Sequence, residues 1–234
     1  MSEHVHYAMR DSIAELTLDD GKVNAMSQPF FAALNAALDQ AEKDEARAVV
    51  LTGRPGVFSA GLNLKLLPTL SPEEIRDTLI DFGNAMLRVY TFPIPTLAAV
   101  SGHAIAGGFV LMSACDLRLV AGGPHRIHLN EVAIGLTLPT WAILIAQSAT
   151  PPRWHTEAIL HARLYTPEEA LDRGIIDRIV TSAEDLGREA LAAAAGLAAL
   201  DTKAYAVAKT RMREPGVNHV RQFIERDASV GKIG

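Results

Sequence analysis

The chain has 234 residues, of which 49% are hydrophobic and 21% charged, and a formal net charge of −5. This is the composition of a folded globular protein, which excludes a disordered chain. The acidic balance argues against a general nucleic-acid binder.

The lone cysteine, Cys115, makes no internal disulfide, so the fold does not depend on an oxidising compartment. The first residues lack the basic cap and apolar run of a secretory signal. No apolar stretch reaches the roughly 18 uninterrupted residues of a membrane span. A cytoplasmic protein is expected.

In chain order, Ile13–Leu18 and Ala48–Thr52 are short, apolar and rich in branched residues, which predicts strands. Between them, Ser27 is placed to cap a helix whose buried face carries Phe31, Leu34, Leu38 and Ala41. Ser71-Pro72-Glu73-Glu74 is a capping box, and Ile75, Leu79, Phe82, Met86 and Val89 follow at helical spacing. Thr166-Pro167-Glu168-Glu169 repeats the box, with Gly174 as the stop and Ile175–Val180 as a further strand. After Ser182 the chain is Ala-rich and helical, with a break expected at Glu214-Pro215-Gly216. Strands alternating with helices predict an α/β fold with residues 1–181 as its core and 182–234 as a helical C-terminal region. From Asp201 onward there are seven Lys/Arg against four Asp/Glu, a mildly basic tail on an acidic body.

Three segments have the residue types that chemistry needs. After the strand at Ala48–Thr52, small residues at Ser59, Ala60 and Gly61 let a ligand approach the main chain, leaving the following N–H groups as donors. An apolar strand then runs through Gly102 and His103 into Gly107-Gly108, where an apolar helix is expected to open. A helix N-terminus stabilises developing negative charge. The spacing is neither a dinucleotide fingerprint nor a phosphate loop, and there is no Gly-x-Ser-x-Gly elbow. Third, Glu131 is an isolated carboxylate in apolar company. Buried, it would have the raised pKa that a general base near neutrality requires.

The remaining candidates read as structural. His125 and His128 lack a third ligand, so no metal is expected. Cys115 has no evident activating base, and Trp141 and Trp154 suit a core or a pocket wall.

Together these segments resemble the crotonase, or enoyl-CoA hydratase/isomerase, superfamily from about Ile13 to Val180. The motifs stand in order: Gly21-Lys22-Val23-Asn24-Ala25-Met26, Phe58 to Leu64, Gly102 to Gly108, Ala114-Cys115-Asp116-Leu117-Arg118, Glu131 with Gly135 and Pro139, and Thr166–Val180. The resemblance implies a spiral of ββα units with a C-terminal helical trimerisation region, and a homotrimer or dimer of trimers. It implies an acyl-CoA thioester substrate, with coenzyme A as part of the substrate and no separate cofactor. The thioester oxygen would be held by the N–H groups of Leu62 and Gly107, with Glu131 moving the proton. Coenzyme A would lie along Lys22, Val23, Ala60, Gly61, Asn63, Leu64 and Lys65, and the basic tail of a neighbouring subunit, through Lys203, Lys209 or Arg211, would complete its site.

The departures narrow the reaction. Hydratases of the family have a second glutamate where this chain has Val110. A single carboxylate suits a proton shuttle on one face of the substrate, so the resemblance is nearer to enoyl-CoA isomerases than to hydratases. Leu138-Pro139-Thr140-Trp141 points the same way. Hydratase or other crotonase-type thioester chemistry, such as thioester hydrolysis, and an inactive acyl-CoA-binding paralogue are the rivals. Asn63 replaces the family's usual Asp in the loop.

Overall fold

A computed structural model describes residues 4–229. The chain opens with a strand that periodicity alone did not indicate, β1 (Val5–Arg10), paired antiparallel with β2 (Ile13–Leu18). All further strand pairs in the sheets are parallel. The short β3 (Ala25–Met26) precedes helix α1 (Gln28–Lys43). Two ββα units follow. The first is β4 (Ala48–Gly53), β5 (Gly56–Ser59) and α2 (Pro72–Thr91), with the two-residue β6 (Gly61–Leu62) between β5 and α2. The second is β7 (Thr96–Val100), β8 (Gly102–Ile105) and α3 (Gly107–Ala114). Then come β9 (Leu117–Ala121), β10 (Ile127–His128), α4 (Thr140–Ala149), α5 (Pro167–Asp172) and β11 (Arg178–Val180). The chain finishes with α6 (Ala183–Ala198), α7 (Thr202–Arg221) and α8 (Ile224–Ser229).

Each unit sends its first strand to a six-stranded sheet ordered β1-β2-β4-β7-β9-β11 and its second to a three-stranded sheet ordered β10-β8-β5. This is the expected α/β spiral. Its short second strands converge beside the third, two-stranded sheet of β3 and β6, and that convergence creates the site.

Strands buried on both faces read as continuous apolar runs. Along β4, Val49 and Leu51 face the interior, where α1, α2 and α3 pack. Ala48 and Val50 face the other way, with Leu97, Ala99, Leu119 and Ala121 of neighbouring strands. α6 covers that face with Leu186, Ala190, Ala194 and Ala198, one residue per helical turn. The Ala-rich stretch therefore packs on its own sheet. The side chain of Arg47 ties its end down, donating to the carbonyls of Ala198 at 2.7 Å and Leu200 at 3.0 Å.

Both capping boxes form, at Ser71/Glu74 and Thr166/Glu169. Two local expectations differ. Ser27 stands at the N-cap of α1, buried beside a first turn that contains Pro29, but its side chain makes no capping bond. The break expected at Pro215 does not occur: α7 continues through it. Proline removes one backbone bond there, but Lys209, Arg213, Val217 and Val220 are buried on one face and hold the helix on both sides.

That face also removes Lys209 from the coenzyme A candidates. Its Nζ is buried, 2.7 Å from Asp116 Oδ2, and donates to the Ile94 carbonyl. Arg213 reaches Asp116 Oδ1 at 2.8 Å, donates to the Tyr90 carbonyl and lies 4.2 Å over the Tyr90 ring. Asp116 also accepts from the Thr96 N–H and hydroxyl. Tail basicity thus serves in part to neutralise a buried aspartate. Lys203 and Arg211 remain exposed on α7.

Candidate active site

The loop before β3 is built by two side chains. The Asp20 carboxylate accepts from the N–H groups of Lys22, Asn24 and Ala25. Asn24, left-handed at φ 51° and buried, donates from Nδ2 to the carbonyls of Leu18 at 2.8 Å and Phe58 at 3.0 Å. The Asn24 carbonyl in turn accepts from Ser59 Oγ, which accepts from the Gly61 N–H. The Asp20–Ser59 network locks the turn between β5 and β6, and it is the physical content of the Gly21–Met26 motif.

Gly61 sits at φ 82°, a conformation that favours glycine. A Cβ there would lie 2.6 Å from the Gly107 nitrogen and 2.8 Å from Ala106 Cβ. At Gly108, a Cβ would come within 2.2 Å of the Ser59 carbonyl oxygen. The two Gly-containing segments therefore touch backbone to backbone. Ala106, at φ 52° and ψ −120°, makes the sharp turn into α3. It is pinned by its N–H bond to the His128 carbonyl at 2.7 Å. The first intrahelical bond runs from the Val110 N–H to the Ala106 carbonyl, which leaves the Gly107 N–H without an intrahelical acceptor.

β10 pairs with β8, and this brings Glu131 to the same place. Glu131 begins a short 3-10 turn over Val132–Ile134 that ends at Gly135, and its carbonyl accepts from the Ile134 and Leu136 N–H groups. Burial pushes its carboxyl up to about 7, although its own N–H and that of Asn130 donate to it. Glu131 Oε2 and Asn130 Oδ1 are buried and accept no hydrogen bond among the described residues. An orphaned buried acceptor carries a desolvation cost that a bound donor relieves.

Leu62, Gly107 and Glu131 all line one cleft, which encloses about 980 Å³ including its open mouth. Ala60 and Leu64 line it too. The remaining expected contacts, Lys22, Val23, Gly61, Asn63 and Lys65, lie outside that lining. Gly61 is buried behind it, while Lys22, Val23 and Lys65 are exposed. Asn63 has its N–H on the Met26 carbonyl at 2.8 Å, joining the loop to β3.

The apolar wall is shared: Leu62, Leu64 and Leu67 come from β6 and the segment after it, Ile75, Leu79 and Phe82 from α2, and Ile134 and Leu136 from the turn after Glu131. Phe82 stacks on Phe31 at 5.3 Å and meets Trp141 edge-on at 4.8 Å. Asn130, Thr137 and Asp227 are further polar lining residues that sequence reasoning missed. Val110, by contrast, is buried in α3 and outside the lining. His125 and His128 do not share a helix: His128 lies in β10, with its Nε2 on the Ala162 carbonyl. Among the described residues no three His, Cys, Asp or Glu side chains are grouped to hold a metal ion. Cys115 is buried, and burial pushes its thiol up to about 12.

The arrangement brings the β6 backbone at Leu62, the open N-terminus of α3 at Gly107, a carboxyl that burial raises to about 7 and an apolar wall to one cleft. Such a set can stabilise an oxyanion while moving a proton on carbon.

Comparison with known proteins agrees. The enoyl-CoA hydratase/isomerase family model matches residues 8–231. Human mitochondrial enoyl-CoA delta isomerase 1 is 32% identical over 221 residues, covering 93% of this chain and 72% of that protein. Carnitinyl-CoA dehydratase of Salmonella enteritidis is 32% identical over 197 residues, covering 81% and 73%. A Mycobacterium tuberculosis structure described as an enoyl-CoA isomerase superposes with a TM-score of 0.91 at 37% identity, covering 98% of this chain and all of that one. Another structure of the same mycobacterial protein is described as a probable enoyl-CoA hydratase. Relatives of both reaction types thus share one fold with this protein, and the chain belongs to the enoyl-CoA hydratase/isomerase family, acting on acyl-CoA.

Proposed function

We propose that the protein is an enoyl-CoA isomerase that moves a β,γ double bond to the α,β position. The observation that carries this reading is Glu131, a carboxyl in the cleft that burial brings to about 7. Glu131 takes a proton from the α carbon. The electron pair flows into the thioester carbonyl, and the resulting dienolate oxygen lies between the N–H groups of Leu62 and Gly107. The same carboxyl then gives the proton to the γ carbon. One base suffices because the proton leaves and returns on one face.

Hydration needs one group to activate water and another to protonate carbon. The second titratable group of the cleft, Asp227, is already engaged by Thr140 and Arg226. Burial opposes its ionisation, but those bonds hold its carboxyl below the usual range, so it stays ionised. No additional cofactor is required. Coenzyme A lies along two segments beside the acyl cleft, Lys22-Val23 and Ala60 to Lys65, of which Ala60 and Leu64 also line the cleft.

For assembly we propose a homotrimer or a dimer of trimers, supported by the family and by exposed apolar residues such as Leu160, Leu171 and Met212. Light scattering that reports a monomer at micromolar concentration would count against it.

The decisive assay compares absorbance changes with a β,γ-enoyl-CoA and with crotonyl-CoA. Isomerisation is expected to exceed hydration by about 10²-fold or more, the scale of one placed acid–base group. Comparable rates would overturn the single-carboxylate argument.

A further inference from the structure

The cleft meets a second cavity at Asp227. That cavity is lined by Thr137, Leu138, Pro139, Thr140, Arg226 and Asp227, and three of these residues, Thr137, Pro139 and Asp227, also border the main cleft. The Asp227 side chain is only 11% exposed and is fixed in place. Its Oδ2 accepts from the Thr140 N–H at 2.6 Å, at the open start of α4, and Arg226 holds its Oδ1 at 3.1 Å. This carboxylate staples α8 to α4 while presenting a fixed negative charge at the boundary of an otherwise largely apolar space. Apart from Glu131 it is the only titratable group among the described lining residues.

We propose that Asp227 is a specificity-determining residue of the acyl pocket: it limits the length of the acyl chain and excludes chains that end in an anionic group. The inference rests on the reading above that the cleft holds the acyl chain. The walls facing that chain are hydrocarbon, from Leu62, Leu67, Leu79 and Phe82, and reward each added methylene until it reaches the carboxylate. Beyond that point a chain has to displace a side chain held by two hydrogen-bonding partners in order to enter the second cavity. A chain ending in a carboxylate meets a like charge, a repulsive element of the kind that gives specificity. Arg226 lines only the second cavity, and the Asp227 carboxylate occupies its guanidinium.

Calorimetry with unreactive saturated thioesters tests this independently of turnover. The probes are hexanoyl-, octanoyl-, dodecanoyl- and adipoyl-CoA, measured on the wild type, D227A and D227N. The wild type is expected to gain little from octanoyl to dodecanoyl and to bind adipoyl-CoA at least about tenfold more weakly than hexanoyl-CoA. D227A is expected to favour dodecanoyl over octanoyl by about tenfold or more, since each methylene newly covered is worth about fourfold. D227N keeps the size and an acceptor for Thr140, so it should retain the length limit while the adipoyl penalty falls below about threefold.

An unchanged length profile in a folded D227A, or an unchanged adipoyl penalty in D227N, overturns the proposal. If D227A fails to fold in a thermal melt, the adipoyl ratio of the isosteric D227N decides. A wild type that binds none of the four probes overturns the acyl site itself. Binding of all four with ratios that neither variant alters overturns only the role of Asp227.

Discussion

A Cβ placed on Gly61 would stand 2.6 Å from the backbone nitrogen of Gly107. Two segments 46 residues apart are thus in backbone contact at the point where the proposed oxyanion donors converge. Their separation is set by the absence of a side chain. Gly61→Ala adds both the clash and the strain of φ 82°. Turnover is expected to fall about 10²–10³-fold, the scale of losing one oxyanion donor. Steady-state kinetics beside a thermal melt check it: wild-type kcat in the alanine variant would show that the contact does not set the donor geometry.

Glu131→Gln keeps the shape and removes the base. We expect kcat to fall about 10²–10⁴-fold, with acyl-CoA affinity kept within about tenfold, because binding and transition-state stabilisation are separable. Glu131→Asp should be intermediate, since it withdraws the carboxylate by about one methylene. Single-turnover rates together with calorimetric affinities separate the two effects. Nearly full activity in the glutamine variant would move the proton carrier elsewhere.

The same carboxyl sets two pH profiles. Its ionised form is the base, so kcat/KM should rise with pH through about 7 and then level off. Stability should run the other way. A carboxyl raised from about 4.5 to about 7 on folding binds its proton more tightly in the native state. Its contribution is therefore lost as pH rises through that window. Removing the ionisable group in Glu131→Gln should flatten this slope and raise the melting temperature at pH 8 relative to wild type. Chemical denaturation between pH 5 and 8 reads it directly.

Asp116 accepts from two buried cations, Lys209 and Arg213. Asp116→Asn leaves both without their counter-charge, and breaking a buried pair in this way costs about 3–5 kcal/mol. Lys209→Met leaves Asp116 still paired with Arg213 and fills the space with an apolar chain, so it should cost less. Equal denaturation midpoints for the two variants would contradict the placement of the charge hub on Asp116.

Asn24→Ala removes the side-chain bonds to the Leu18 and Phe58 carbonyls, both in buried surroundings, and a residue suited to φ 51°. A loss of about 2–3 kcal/mol is expected from the unsatisfied groups. Activity should fall more steeply than stability alone accounts for, because the same network sets the turn into β6. An unaltered kcat in the folded variant would detach the loop from the site.

By itself the sequence determined the elements whose cause is local. The capping boxes at Ser71 and Thr166 need only residues three apart, and β2 and β4 need only branched apolar runs. Motif order also pointed to the family and to Leu62, Gly107 and Glu131, which do line one cleft. What the tertiary structure decided depends on distant partners. Pro215 was expected to break α7, but Arg213 and Val217 are buried on either side of it. Lys209 was a candidate for a phosphate contact, until β9 and α7 brought Asp116 within 2.7 Å of it. The Ala-rich face of α6 found its cover on the outer side of its own sheet. Asp227 is one acidic residue in a basic tail, and the packing of α8 against α2 and α4 carries it to the cleft. Local signals fix a residue's conformation; its neighbours across the fold fix its charge state and its access to the cleft.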